Sequence, residues 1–401
     1  MALSSKDAEK APYPCPTKPV SCLVYSFPDG KHVILSSVCC KINGMELSAL
    51  RKTLAMLCVF ALLLGVVTPT SSAIAMQAPL LPQDSRAARV LSLVTPMRIT
   101  ESGRLEYFDQ GLKGFTPAAL MESHRHQIYP YTPVKRVDFF IIHYDAFPNL
   151  KADGKPGTVQ STVANLNDIR MASVNYCVDS YPITHNISEK QGMGVIMATL
   201  PANPPFKARH TAISISLEKG LDLNSQKTAD LMAQLGISTR LTAFNEDKTK
   251  DLDSVSLGVE QSGNDFSKVF PANMPPDREI ANLLSLTAAV ARQYDLKIWD
   301  ILGHNEVQQK PDPGNEYMTI LRFLLAQLYL QQEDLFPENF LGDEPATFFA
   351  RLKDYAISLI GEQGYQRSLN WLGAEEAIPS APRMSSLKIC KNRKPSLFEL
   401  Y

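Results

Sequence analysis

The stretch Ile301–Gly314 reads ILGHNEVQQKPDPG, and it sets an imidazole, an ammonium and a carboxylate (His304, Lys310 and Asp312) within nine residues. Pro311 and Pro313 stiffen that loop, because each ring locks its own φ, and so help to hold the carboxylate. An imidazole and a carboxylate from the two sides of one loop are two of the three protein ligands that a catalytic zinc takes, with the fourth position left to water. A third ligand has to come from elsewhere in the chain. His143 is the best candidate. It ends the apolar run FFIIH, and a side chain at the end of a buried strand can project at the rim of a sheet. Taken singly, each motif also has a bland reading: a histidine at a strand end is commonly packed or solvent-facing, and a Lys-x-Asp turn is commonly solvated.

The elements that must position these residues are legible in the periodicity. Val137–Tyr144 (VDFFIIHY) is a continuous apolar run of strand length. Thr158–Arg170 has helical spacing, and Val174–Val178, Gly194–Leu200, Ala212–Leu217 and Val255–Gln261 read as short strands. Asp277–Tyr294 predicts an amphipathic helix, with Asp277 near its start and Ile280, Leu283, Leu284 and Ala288 on one face. Asn315–Gln332 and Ala346–Leu359 predict two more, with Gln366–Leu372 extending the last, and a further helix is expected around Pro117–His124. Alternating strands and helices predict an α/β fold with a mixed central β-sheet flanked by helices, followed by a helical C-terminal extension.

The N-terminal region carries a different signal. Arg51 and Lys52 precede an apolar run of about 14 residues, Leu54 to Val67, and Ala73-Ile74-Ala75 supplies an A-x-A pattern. These are the three parts of a secretory signal peptide, and the run is short for a membrane span. The organisation expected is therefore a leader at 1–44 that precedes the true start or is unstructured, a signal peptide at 45–75, an N-terminal extension at 76–133, a catalytic domain at 134–332 and a helical extension with a basic tail at 333–401. Localisation outside the cytoplasm follows, periplasmic or associated with the cell wall, with membrane contact only through the signal sequence. Of the seven cysteines, only Cys177 and Cys390 lie beyond Ala75, too few for a disulfide framework. Cys177 reads as a core residue, and the His124/His126 pair, with no third ligand nearby, as a surface pair. A formal net charge of −1 excludes a general nucleic-acid binder.

Taken together and in order, the motifs resemble those of the zinc-dependent N-acetylmuramoyl-L-alanine amidases of the type-2 class, which share a fold with amidase-type phage lysozymes and peptidoglycan recognition proteins. FFIIHYDA is similar to that family's apolar strand ending in a ligand histidine. LGVEQSG at Leu257–Gly263 is similar to its IGIE-like strand, and ILGHNEVQQKPDPG to its GH loop closing on DPG. The resemblance covers about residues 135–330. It implies that His143, His304 and Asp312 bind zinc, that Glu260 activates the attacking water, and that Lys310 steadies the oxyanion. ARHTAIS at Ala208–Ser214 is similar to a WHAG-like stretch without its tryptophan and glycine, which makes His210 a cleft residue. Where some members carry a catalytic tyrosine, this chain has Val174 with Asn175 beside it, a second cleft candidate, and the base role then falls to Glu260. An insertion of roughly 40 residues separates His210 from Glu260. The activity implied is hydrolysis of the amide between N-acetylmuramic acid and L-alanine in peptidoglycan or muropeptides. The alternatives are a non-catalytic peptidoglycan-binding protein of the same fold and a zinc peptidase acting on stem peptides.

N-terminal sequencing of the protein from its native host should give a mature chain that begins near Met76; a peptide from residues 1–44 in cells would overturn the reading that this leader precedes the true start.

Overall fold

The computed structural model describes residues 81–121, 136–144, 157–166, 174–185, 192–198, 223–247, 252–262, 270–271 and 274–374, together with the backbone of four short strands at 23–26, 32–35, 132–133 and 209–210. The signal-peptide segment 45–75, the His124/His126 pair, the Ala212–Leu217 run and the basic tail lie outside the described residues. No described helix is long and apolar enough to cross a membrane. The chain divides into two units, residues 1–73 and residues 74–401. The first contains an antiparallel hairpin of β1 (Leu23–Ser26) and β2 (His32–Leu35).

The second unit opens with α1 (Arg86–Ser92), whose Ser85 side chain caps the helix by accepting from Ala88 N–H at 3.1 Å. A three-stranded antiparallel meander follows: β3 (Met97–Ile99), β4 (Leu105–Asp109) and β5 (Gly114–Pro117). The chain then enters the main sheet through β6 (Ala119–Leu120). This corrects the helix expected around Pro117–His124. Ala119 and Leu120 pair in parallel with Ile196 and Met197, so local helical spacing gives way to a sheet edge that needs a partner.

β7 (Thr132–Pro133) precedes β8 (Phe139–Tyr144), and then come α2 (Val159–Asn165), β9 (Tyr176–Val178), β10 (Val195–Met197) and β11 (Arg209–His210). Two helices, α3 (Leu223–Gln234) and α4 (Arg240–Glu246), occupy the insertion read between His210 and Glu260. β12 (Ser256–Gln261), α5 (Asp277–Tyr294), β13 (Ile301–Gly303), α6 (His304–Val307), α7 (Asn315–Gln331) and α8 (Pro345–Leu372) complete the unit. The six-stranded sheet has the order β13-β8-β12-β9-β10-β6. The first four strands are mutually parallel and β10 runs against β9, so the sheet is mixed, flanked by helices, with helices C-terminal to it.

Local chemistry explains the boundaries. Thr158 and Ser161 cap α2 reciprocally, Thr158 Oγ1 accepting from Ser161 N–H at 3.2 Å and Ser161 Oγ from Thr158 N–H at 3.0 Å. Asp277 and Glu279 sit in the first turn of α5 and Arg292 in its last, which suits the helix dipole. α8 runs through both segments read as helical at the C-terminus and breaks at Gly361, where φ is +71°. Asp179, fully buried after β9, accepts from the N–H groups of Val159, Tyr181, Met193 and Gly194 at 2.7–3.1 Å, fixing the start of α2 against the β9–β10 connection.

At the opposite end of the parallel strands, Asp300 is 2% exposed. Burial pushes its carboxyl up to about 6, against a bond from Lys297 N–H and the Arg240 charge that lower it, while Asp138 adds to the rise. A raised carboxyl contributes stability that is complete below about pH 4 and lost as pH climbs through about 6. Asp300→Asn should therefore flatten the fall in unfolding free energy between pH 4 and 7, a slope worth at most about 3 kcal/mol, as read by denaturant titration at each pH.

Candidate active site

His143 is the fifth residue of β8 and Glu260 the fifth of β12, and the two stand directly opposite each other in the parallel ladder. Opposed residues of a ladder share a face, so the register itself sets the imidazole beside the carboxylate. Cys177 of β9 is next in the same row, which then passes into an apolar patch of Ile196, Ala119, Val163 and Val159 under α2. His143 is 4% exposed and Glu260 1%. The other face of these strands, with Tyr144 and Gln261, meets Tyr317 of α7, whose hydroxyl donates to Gln261 Oε1 at 2.8 Å. Carboxyl ends of parallel strands are where α/β sheets build their sites, and His304, at the end of β13, arrives at the same rim.

A tightly cross-tied loop brings in His304 and Asp312. Asn305 N–H donates to the Asp312 carbonyl at 2.6 Å, and Asn305 Nδ2 donates to Asn315 Oδ1 at 2.6 Å. Gly303 is closely approached: a Cβ there would lie 2.5 Å from Asn305 Oδ1 and 2.8 Å from Met318 Cγ, so those side chains would have to shift for any other residue. The result is a buried triad. His304 Nδ1 is 2.9 Å and His143 Nδ1 is 3.9 Å from Asp312 Oδ2, and the two ring centroids are 4.5 Å apart. His143 Nε2 faces the other way, toward Gly258, where an added Cβ would be 3.5 Å from it. Burial by itself raises the Asp312 carboxyl, but the hydrogen bond from His304 and the charges of His304 and His143 outweigh it and hold the group below the usual carboxylate range. One ligand atom from each of the three lies within 4.8 Å of the others, a group that could hold a metal ion.

The other residues read from the sequence fall at different distances from this centre. Lys310 is on the same loop and exposed. Asn175 is buried and its side-chain oxygen accepts from Gly258 N–H at 2.8 Å, so it braces the strand beside His143. Val174, also buried, packs toward Gly258. His210 lies on β11, opposite Thr132 of β7. Of the helices in the insertion, α3 packs against α6, the helix that begins at His304.

The loop also rests on a polar cluster that the sequence reading missed. Glu306 Oε2 accepts from Gly303 N–H at 2.8 Å, which caps the turn that starts at His304. The same carboxylate takes two bonds from Arg322 of α7, both 2.7 Å, and one from the Tyr355 hydroxyl of α8 at 2.7 Å. Arg322 also donates to the Ile301 carbonyl at 2.8 Å and lies 5.2 Å from the Trp299 ring centroid and 5.3 Å from that of Tyr355. The available signal was a lone arginine inside the apolar run TILRFLLAQLYL.

Fold and site together define a mixed α/β domain with a His-His-Asp group, able to hold a metal ion, at the strand ends. A family model for N-acetylmuramoyl-L-alanine amidases matches residues 133–315. No curated protein and no solved structure matches the chain. The match supports a hydrolase of amides with peptidoglycan as its substrate class.

Removing one partner of a buried ion pair leaves the other charge uncompensated. Arg322→Met should therefore lower stability by about 3–5 kcal/mol in denaturant titration. Tyr355→Phe, which removes a single bond to the carboxylate, should cost about 1–3 kcal/mol.

Proposed function

We propose that the chain is an exported, zinc-dependent N-acetylmuramoyl-L-alanine amidase that cuts the amide between N-acetylmuramic acid and L-alanine in peptidoglycan. One observation carries the reading: His143, His304 and Asp312 converge at the strand ends inside a domain of the amidase family. Two imidazoles and a carboxylate suit zinc, and three protein ligands leave a position for substrate or water. The ion, when bound, supplies Lewis-acid chemistry, polarising the amide carbonyl and making water nucleophilic near neutral pH.

The protein's own groups do the rest. Glu260 stands next to His143 in the ladder. It takes a proton from the water as the new C–O bond forms at the amide carbon. It returns that proton to the nitrogen as the C–N bond breaks, releasing the amine of L-alanine. Lys310 adds positive charge where the oxyanion develops. Its exposed position on the loop suits a polymer that arrives from solvent. His210 lines the cleft in this reading, and the α3–α4 insertion shapes one wall of it. Export is supported by the signal-peptide pattern at 45–75 and by a substrate that lies outside the cytoplasmic membrane.

The test is to incubate the purified protein with peptidoglycan, with and without a chelator, and to identify the products by mass spectrometry. Free stem peptides beginning in L-alanine should appear, vanish with chelator and return with zinc. His304→Ala should lose both the zinc and the release. Glu260→Gln should keep the zinc while kcat falls by roughly 10²–10⁴-fold. Binding without cleavage would replace the proposal with a non-catalytic recognition protein, and cleavage inside the stem peptide with a peptidase.

A further inference from the structure

The His304 ring is gripped on both sides. Its Nδ1 faces Asp312 Oδ2 at 2.9 Å, and its Nε2 faces the side-chain oxygen of Gln308 at 2.7 Å. Gln308 also holds the same residue by its main chain, because its N–H donates to the His304 carbonyl at 2.8 Å. One glutamine, four residues on and at the end of α6, thus fixes both the backbone and the ring of His304. A side-chain amide oxygen only accepts, so its bond to His304 requires the hydrogen to be on Nε2. A cation held by His304, His143 and Asp312 would use the Nδ1 lone pair, since Nδ1 is the nitrogen that faces Asp312. The bond from Nε2–H to Gln308 would remain.

We propose that Gln308 is a positioning residue for the metal centre: its side-chain oxygen retains the proton on Nε2 of His304 and so presents the Nδ1 lone pair toward Asp312 and His143. The proposal rests on the metal reading given above and adds to it the partner that sets the tautomer and angle of one ligand. A hydrogen bond to the outer nitrogen of a ligating histidine orients the ring and raises its basicity, and loss of such a partner typically weakens metal binding by about 10–100-fold. Gln308 does not touch the reacting atoms in this account. Its effect is exerted through His304.

The experiment compares the full chain with Gln308→Leu, which removes the acceptor at similar volume, and with Gln308→Glu, which keeps it. Zinc affinity is measured by competition with a chromophoric chelator, and the imidazole N–H protons of the zinc-loaded proteins are followed by NMR. The parent should show an Nε2–H resonance of His304 protected from solvent exchange. Gln308→Leu should bind zinc about 10-fold more weakly or worse and lose that protected resonance, while Gln308→Glu restores both. Gln308→Met supplies the same comparison if the leucine variant does not fold. Unchanged zinc affinity with a retained resonance in the variant lacking the acceptor would overturn this inference and leave the metal reading intact. So would equal losses in both variants, since these mark a merely structural role. A parent protein that takes up no zinc would overturn the metal reading itself, and this inference with it.

Discussion

The two-pronged contact between Arg322 and Glu306 is the interaction on which the site's geometry depends. Both side chains are almost wholly removed from water, at 0% and 1% exposure. Burial alone would lower the Arg322 guanidinium, and the facing Glu306 carboxylate more than compensates. A pair of this kind adds modest net stability once its desolvation is counted. Its consequence is geometric. Glu306 lies two residues beyond His304, and besides Arg322 it accepts from Gly303 N–H at the start of its own turn and from the Tyr355 hydroxyl on the last helix. With those bonds made, the turn after β13 has one arrangement, and His304 and Asp312 meet within it.

A second constraint comes from the sheet. Because β8 and β12 are parallel and in register, a shift of one residue would turn His143 or Glu260 to the opposite face. The opposite face is filled by Tyr144, Gln261 and Tyr317, so such a shift would also bury the wrong polar groups. The hydrophobic strands therefore keep their register for reasons of core packing, and the alignment of imidazole and carboxylate follows. The apolar row beyond Glu260, through Cys177 to Ile196, closes that side of the site to solvent.

The family-matched region ends at residue 315, yet Arg322 and Tyr355 lie beyond it, on α7 and α8. Upstream of it, β6 supplies the outer strand of the same sheet. The segments on either side of the amidase domain are thus structurally continuous with it. The C-terminal helix that reads in sequence as an appendage reaches the carboxylate that caps the His304 turn. Its amphipathic face is used for packing, with Phe348, Phe349, Leu352 and Tyr355 all buried.

What the sequence by itself determined is the set of local patterns and their chemical types. The strands FFIIHY and SLGVEQ, the helix Asp277–Tyr294 and the His304–Asp312 loop are all marked by periodicity or by turn residues, because those signals are short-range. The group His143, His304 and Asp312, which could hold a metal ion, was legible because the loop and the strand each carry a distinctive local order. The tertiary structure alone decided what depends on distant partners. Ala119 and Leu120 became a strand because Ile196 and Met197 offered an edge. Asn175 became a brace because Gly258 lay beside it. Glu306 and Gln308 carry no mark of their roles in a linear reading, since a hydrogen-bond partner 16 or 49 residues away, or a ring turned toward one nitrogen, exists only once the chain has folded.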